Sequence, residues 1–323
     1  MNGIRYPMKI GYVPRSRIWG GDRLIRDFGK KSDELPLGES WELTVRADGM
    51  SLVENGVYAG KPLGDVLAEL GPASVAPEYD GSHFPLLIKL IDATDRLSVQ
   101  VHPDDVYGRA DGDAGKTEMW YILDAAPGAE LVYGLLDGID TAAFAAAVRD
   151  GRTEECLRRV PVKRGDVFFI PSGLVHAIGA GILLAEIQQN SDLTYRVYDY
   201  NRRGTDGKLR QLHVEKALDV IRPYTEEEIY SIRYACGRPA AGEEKTFLSD
   251  CPYFRVLHSD GAGCTEGEAA ERFVSLLCVS GEGRLCAGDF SATVRKGDSW
   301  YLPAGLGRFF VEGEAELLLS SPR

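Results

Sequence analysis

Gln100 and His102 alternate with valines in RLSVQVHP (96–103), Glu118 opens the apolar run EMWYIL (118–123), and His176 ends the pattern Gly165-x5-Pro171-x-Gly173-x2-His176. If 96–103 is a strand, Ser98, Gln100 and His102 share one face, with neighbours about 6.6 Å apart, while Leu97, Val99 and Val101 take the other. The proline and glycine of the third segment fix a tight turn that aims His176 back into a barrel. Singly, a strand histidine or a glutamate at a strand start is as readily a solvated surface residue. Together, two imidazoles, one carboxylate and one amide oxygen form a mixed nitrogen and oxygen set that suits a single zinc or another borderline divalent ion. His83, His213 and His258 lack such spacing and read as structural or surface residues.

The elements that must position these groups are mostly short strands separated by Gly, Pro and Asp turns, among them DVFFIP (166–171), ILLAEIQ (182–188) and RFVSLLCV (272–279). Helical spacing is confined to 62–70, the Ala-rich 140–159 and 213–221, the last stopping at Pro223. The pattern predicts a mainly all-β chain of sandwich or jelly-roll type with a few short helices. RGDVFFIPSGLVHAI (164–178) and KGDSWYLPAGLGRFF (296–310) align without a gap, which implies two barrels of one kind. The second copy carries Arg308 where the first has His176, so a structural or assembly role is expected for it. We therefore divide the chain into a metal-binding domain over 1–232, a polar Gly- and Pro-containing linker over 233–245, and a second β domain over 246–323 that lacks metal ligands.

Composition narrows the function. In 323 residues, 44% hydrophobic and 27% charged content predict a soluble globular protein, and a net charge of −12 argues against a nucleic-acid partner. It does not argue against a small phosphorylated ligand, which needs only a few local cations. No apolar run reaches membrane-spanning length and the first residues lack the apolar centre of a secretory signal, so a cytoplasmic location is expected. The six cysteines form no CxxC pair and are read as reduced thiols. No G-x-G-x-x-G or P-loop pattern points to a nucleotide cofactor.

The spacing around His176 resembles the second cupin motif, with Ala180 where many cupins have Asn. Five segments, IWGGDRL (18–24), GESWELT (38–44), LLIKLIDATDRLSVQVHPDD (86–105), GKTEMWYI (115–122) and QNSDLTYRVYDYNR (189–202), resemble class I mannose-6-phosphate isomerases of the short bacterial type. The resemblance implies two cupin-type jelly-roll barrels and a zinc-dependent interconversion of mannose 6-phosphate and fructose 6-phosphate. It places the zinc ligands at Gln100, His102, Glu118 and His176, the active-site arginine at Arg196, and a lysine at Lys116. Ser98, before the QxH pair, is expected at the sugar together with Glu186 and Asp192. Long members of the family carry an extra helical domain, for which this chain has only the stretch 140–159.

Such a reaction moves a proton between adjacent carbons through an enediol or enediolate, a developing charge that a Lewis-acidic metal and fixed cations stabilise. Arg196 and Lys116 are the candidate cations, for the enediolate or for the phosphate. The base stays open among Lys116, Asp192 and Glu186. Trp41 and Trp120 read as core, and Arg202 and Arg203 as a solvated basic turn. Two other functions fit the same residues. His102, His176 and Glu118 match a non-haem iron dioxygenase, although Gln100 would then fill a position that oxygen chemistry needs open. A non-enzymatic sugar-phosphate-binding cupin is the other.

Overall fold

Gly165 and Gly297 sit at φ +86° and +87°, and Gly173 and Gly305 at +84° and +82°, so the repeated turn is built twice with the same left-handed backbone. These conformations favour glycine, and at Gly173 a Cβ would also lie 2.9 Å from the Val220 carbonyl oxygen. Each copy bends the chain between two strands of one jelly-roll unit, Val167–Ile170 to His176–Ala177 in the first and Ser299–Leu302 to Gly307–Gly313 in the second. The computed structural model of the chain describes residues 3–204, 207–235 and 245–323. Most of the expected linker 233–245 lies outside the described residues.

The first unit pairs two antiparallel sheets. One has six strands, in the order Val167–Ile170, Glu118–Ala125, Ile182–Gln189, Leu86–Ala93, Leu37–Leu43 and Val13–Gly21. The other has five, in the order Leu157–Pro161, Glu130–Leu135, His176–Ala177, Val99–Val101 and Tyr195–Tyr198. Between them packs a core that includes Ile91, Trp120, Ile122, Leu131, Tyr133, Phe168 and Leu184. The second unit repeats this with a seven-stranded and a four-stranded sheet around Leu276, Trp300, Leu285, Phe309 and Leu317. Its seven-stranded sheet takes in two early strands: Met8–Gly11 pairs with Ser299–Leu302 on one side and with Leu52–Val53 on the other.

The six-stranded sheet is buried on both faces. Leu86, Ile88, Leu90, Met119 and Tyr121 point away from the first barrel into a cluster shared with Phe254, Phe273 and Tyr301 of the second unit and with the helix Leu63–Leu70. A sheet covered on both sides needs apolar residues at successive positions, and LLIKLIDA over Leu86–Ala93 meets this, every residue being buried. The outer face of the five-stranded sheet is covered by the helices Thr141–Arg149 and Val214–Val220 through Phe144, Ala147 and Ala217.

The helical reading of 140–159 is corrected. Asp140 caps a helix that ends at Arg149, Gly151 turns the chain at φ +71°, and Leu157–Pro161 is a strand paired with Glu130–Leu135. After the glycine, strand pairing takes the segment that was read as a continuation of the helix. A further helix, Glu226–Ala235, begins in the stretch that follows Pro223.

Candidate metal centre and its cavity

Gln100 lies on the fourth strand of the five-stranded sheet with His176 as its register partner on one side and Arg196 on the other. Directly opposed residues in antiparallel strands present their side chains to the same face. The register therefore lines up an imidazole, an amide and a guanidinium across three strands. Facing them from the six-stranded sheet is a second row, Trp41, Lys89, Glu186 and Trp120, each the register partner of the next. Glu118 opens its strand two residues before Trp120 and so shares its face.

His102, Glu118 and His176 come together, their potential ligand atoms all within 4.8 Å of one another. His102 Nε2 is 3.6 Å from Glu118 Oε2 and His176 Nε2 is 3.5 Å from Glu118 Oε1. Each histidine has its other nitrogen, Nδ1, 2.8 Å from a backbone carbonyl, of Leu193 for His102 and of Leu174 for His176. A carbonyl only accepts, so Nδ1 carries the proton and Nε2 presents a lone pair to the Glu118 carboxylate. Burial holds both imidazoles in the neutral form: it pushes His102 well below its usual value, with Lys116 adding to the effect, and takes His176 down to about 4. Burial pushes Glu118 upward, as does the nearby Glu186, against the attraction of Lys116.

His102 Nε2 and both Glu118 oxygens are buried without a hydrogen bond. Lys116 Nζ lies 3.0 Å from Glu118 Oε2 as an ion-pair contact that lacks hydrogen-bond geometry. Buried polar atoms are ordinarily satisfied, and three orphans aimed at one point fit a cation there. Gln100 Nε2 is 3.4 Å from His176 Nε2, while its Oε1 accepts from Ser98 Oγ at 3.2 Å. Amide orientation is set by the surrounding network, and a half-turn of this amide presents Oε1 to the same point. The donor set then comprises two nitrogens and two kinds of oxygen, a combination that borderline divalent ions accept.

In front of these groups lies a polar cavity of about 300 Å³ whose wall includes Ser98, Gln100, Lys116, Glu186, Asp192 and Arg196. All the residues expected at the sugar therefore line one space. Glu186 is fixed from two sides, with Lys89 Nζ 3.0 Å from Oε1 and Trp120 Nε1 donating to Oε2 at 2.9 Å. Burial opposes its charge, but Lys89 and Lys116 outweigh burial and hold the carboxyl below its usual range. Trp120, read as core, is fully buried and also meets the His176 ring in a T-shaped contact, with centroids 5.5 Å apart. Trp41 is buried too and donates to Glu39 Oε2 at 2.7 Å.

The same wall holds Arg17, Glu39, Lys89 and Arg210, which the residue pattern had not singled out. Lys89 and Glu39 carried a signal nonetheless. A lysine inside LLIKLIDA and a glutamate inside GESWEL are charges within buried strands, and such charges need partners. Arg202 is not a solvated turn residue: it reaches Asp199 and the Arg96 carbonyl. Arg203 donates to the Gly207 carbonyl at 2.7 Å and stays on the surface. His213 precedes the helix Val214–Val220, and His258 contacts Tyr121 and Glu316 between the two units. A larger cavity, of about 700 Å³ at Tyr79, Arg109 and Tyr253, contains none of the expected ligands. Among the described residues, no helix is long and apolar enough to cross a membrane.

Comparison with known proteins gives concordant results. Residues 8–132 match the model of the phosphomannose isomerase type I catalytic domain, and 243–322 that of the mannose-6-phosphate isomerase cupin domain. The chain is 39% identical over 316 residues to mannose-6-phosphate isomerase ManA of Bacillus subtilis (strain 168), covering 97% of this chain and 98% of that protein. It is 36% identical over 324 residues to mannose-6-phosphate isomerase of Streptococcus mutans, with the same coverage. The crystal structure of the mannose 6-phosphate isomerase from Bacillus subtilis superposes with a TM-score of 0.89 at 34% identity, over 97% of this chain and 99% of that one.

Proposed function

The chain belongs to the type I phosphomannose isomerases, and from that premise we propose that it interconverts mannose 6-phosphate and fructose 6-phosphate with one zinc ion held by Gln100, His102, Glu118 and His176. The observation that carries the metal assignment is the convergence of His102 Nε2 and the Glu118 carboxylate, buried and without hydrogen bonds, beside His176. When bound, the ion supplies Lewis acidity toward adjacent carbonyl and hydroxyl oxygens.

The chain's own residues do the rest. Lys116 and Arg196 place positive charge where an enediolate would develop, Lys116 beside Glu118 and Arg196 one strand from Gln100. Glu186, held ionised by Lys89, accepts from sugar hydroxyls, and Asp192 does so at the exposed side of the cavity. Ser98 Oγ now fills one lone pair of Gln100 Oε1, so it steadies the amide and is free to reach a substrate hydroxyl once the amide turns. Burial of the histidines and of Glu118 lowers the local dielectric around the donor set, which strengthens the charge interactions made there.

The test is a coupled assay with mannose 6-phosphate before and after chelation. We expect turnover to disappear with the metal and to return when zinc is restored. Full turnover by metal-free protein would reject the metal-dependent mechanism.

A further inference from the structure

Glu118 begins its strand, pairing with Ile170 on one side and Gln188 on the other. The three residues before it lie outside the ladder, and each of their amides is held by a different group. Gly115 N donates to Asp105 Oδ1 at 2.9 Å, Lys116 N to the Pro103 carbonyl at 3.0 Å, and Thr117 N to Gln189 Oε1 at 2.9 Å. Gln189 N also donates to the Thr117 carbonyl at 3.0 Å, so one residue holds both backbone groups of Thr117. Lys116 and Glu118 flank Thr117, and their side chains meet, with Nζ 3.0 Å from Oε2.

The Gln189 amide has one orientation. The Thr117 N–H is a donor, so Oε1 faces it, and Nε2 then donates at 3.0 Å to Asp105 Oδ1, which already accepts from Gly115. Asp105 in turn is fixed by the helix that it opens, Asp105–Ala110. The segment before Glu118 lies so close to this helix that a Cβ on Gly115 would come within 2.5 Å of Asp105 N, and one on Gly108 within 2.6 Å of the Ala114 carbonyl oxygen.

Thr117 and Gln189 are buried, 4% and 7% exposed. A buried amide deprived of its acceptor is costly to leave in place, so the peptide moves to find another. Neither Asp105 nor Gln189 belongs to the wall of the cavity at the metal centre; both line the separate cavity of about 700 Å³. Whatever they contribute to the reaction passes through the backbone that they hold.

We propose that Gln189, braced by Asp105, is a positioning residue that fixes the peptide between Lys116 and Glu118 and so sets where the Lys116 ammonium stands. The role of Lys116 rests on the isomerase reading, whereas the latch rests on the hydrogen bonds alone.

The experiment uses the full-length, zinc-loaded protein and the variants Q189L, Q189E and D105N/Q189E. Q189L keeps the bulk and removes the acceptor. Q189E keeps an acceptor for Thr117 N but sets a carboxylate against Asp105. D105N/Q189E exchanges the acid and the amide, which restores a donor between the two positions. Misplacing a group that acts at the transition state by about 1 Å costs up to about 100-fold. The proposal predicts that Q189L and Q189E lower kcat for mannose 6-phosphate about 10- to 100-fold, with KM within about threefold and zinc content unchanged. D105N/Q189E should bring kcat back to within about threefold of the parent. Amide hydrogen exchange over 114–118 should be faster in Q189L and Q189E and return to the parent rate in D105N/Q189E. Unchanged kcat in Q189L and Q189E would overturn the proposal, as would zinc lost in proportion to kcat or no recovery in D105N/Q189E. Q189E and its paired variant carry the test if Q189L does not fold. Should the parent protein not turn over mannose 6-phosphate, the isomerase reading fails, and exchange over 114–118 still decides the latch, since unchanged rates in Q189L and Q189E would reject it.

Discussion

Gln100 and His176 are register partners in adjacent antiparallel strands, with their side-chain nitrogens 3.4 Å apart. Residues 76 positions apart in sequence thus become neighbours on one face of a sheet. Q100L keeps the side chain's bulk and removes its oxygen. We expect it to retain the fold and to weaken zinc binding at least tenfold in competition with a chromogenic chelator, because one of four donors is lost. Affinity equal to that of the parent would remove Gln100 from the ligand set.

E118Q replaces the only carboxylate of the set with a neutral amide. Metal content after dialysis should fall below about a tenth of an ion per chain, since the ion loses its only charged ligand. Trp120 gives a second readout, because it packs against His176 in a T-shaped contact. Zinc addition should change tryptophan fluorescence in the parent protein and not in E118Q.

Glu39 supplies a pH signature. Burial works against its charge, but Arg17, Lys89 and Trp41 outweigh it and bring the carboxyl down from 4.5 to about 2. A depressed carboxyl contributes stability that is complete above the unfolded value and is lost as pH falls through the folded one. The shift corresponds to about 3 kcal/mol in favour of the folded state at neutral pH. Chemical denaturation should find E39Q less stable than the parent by that order at pH 7, with the gap narrowing between pH 4.5 and 2. A gap independent of pH would show that the ionised form is not what stabilises.

Phe273 stacks on Phe84 at 5.3 Å and on Tyr301 at 4.8 Å, in the cluster that joins the second unit to the outer face of the six-stranded sheet. F273A should cost about 3–5 kcal/mol, the range for truncating a buried aromatic. A loss under 1 kcal/mol in urea denaturation would mean that this junction contributes little.

Tyr121 lies three residues after Glu118 on one strand, donates to Glu316 at 2.9 Å and contacts His258 at 3.2 Å. Arg164 completes this polar cluster on Glu316. A double-mutant cycle of Y121F and E316Q should give a coupling energy of about 0.5–1.5 kcal/mol. Strict additivity would show that the hydroxyl and the carboxylate act independently.

The residues proposed as ligands were legible as candidates in the sequence because their signals are local. Alternation in RLSVQVHP puts Gln100 and His102 on one face, and the Gly165–Gly173 turn marks His176 by composition alone. The repeat was legible for the same reason, and its glycines take matching left-handed conformations. Arg17, Glu39, Lys89 and Arg210 were not found, because their convergence depends on which strands pair and in what register. Lys89 meets Glu186 only once Leu86–Ala93 lies beside Ile182–Gln189. Arg210 joins the cavity wall after a left-handed turn at Tyr200 and Asn201, a conformation that asparagine tolerates but tyrosine does not announce. The Ala-rich stretch misled in the opposite sense, since composition favoured helix up to 159 while Leu157–Pro161 had a strand partner waiting in Glu130–Leu135.

The most direct test of the metal site is an anomalous-difference map from crystals of the zinc-loaded protein, recorded on both sides of the zinc edge. The account predicts one strong peak per chain, bonded at about 2.0–2.2 Å to Nε2 of His102 and His176, to Glu118 and to a Gln100 amide turned to present Oε1. A zinc peak elsewhere, with His102 and Glu118 still unligated, would contradict it.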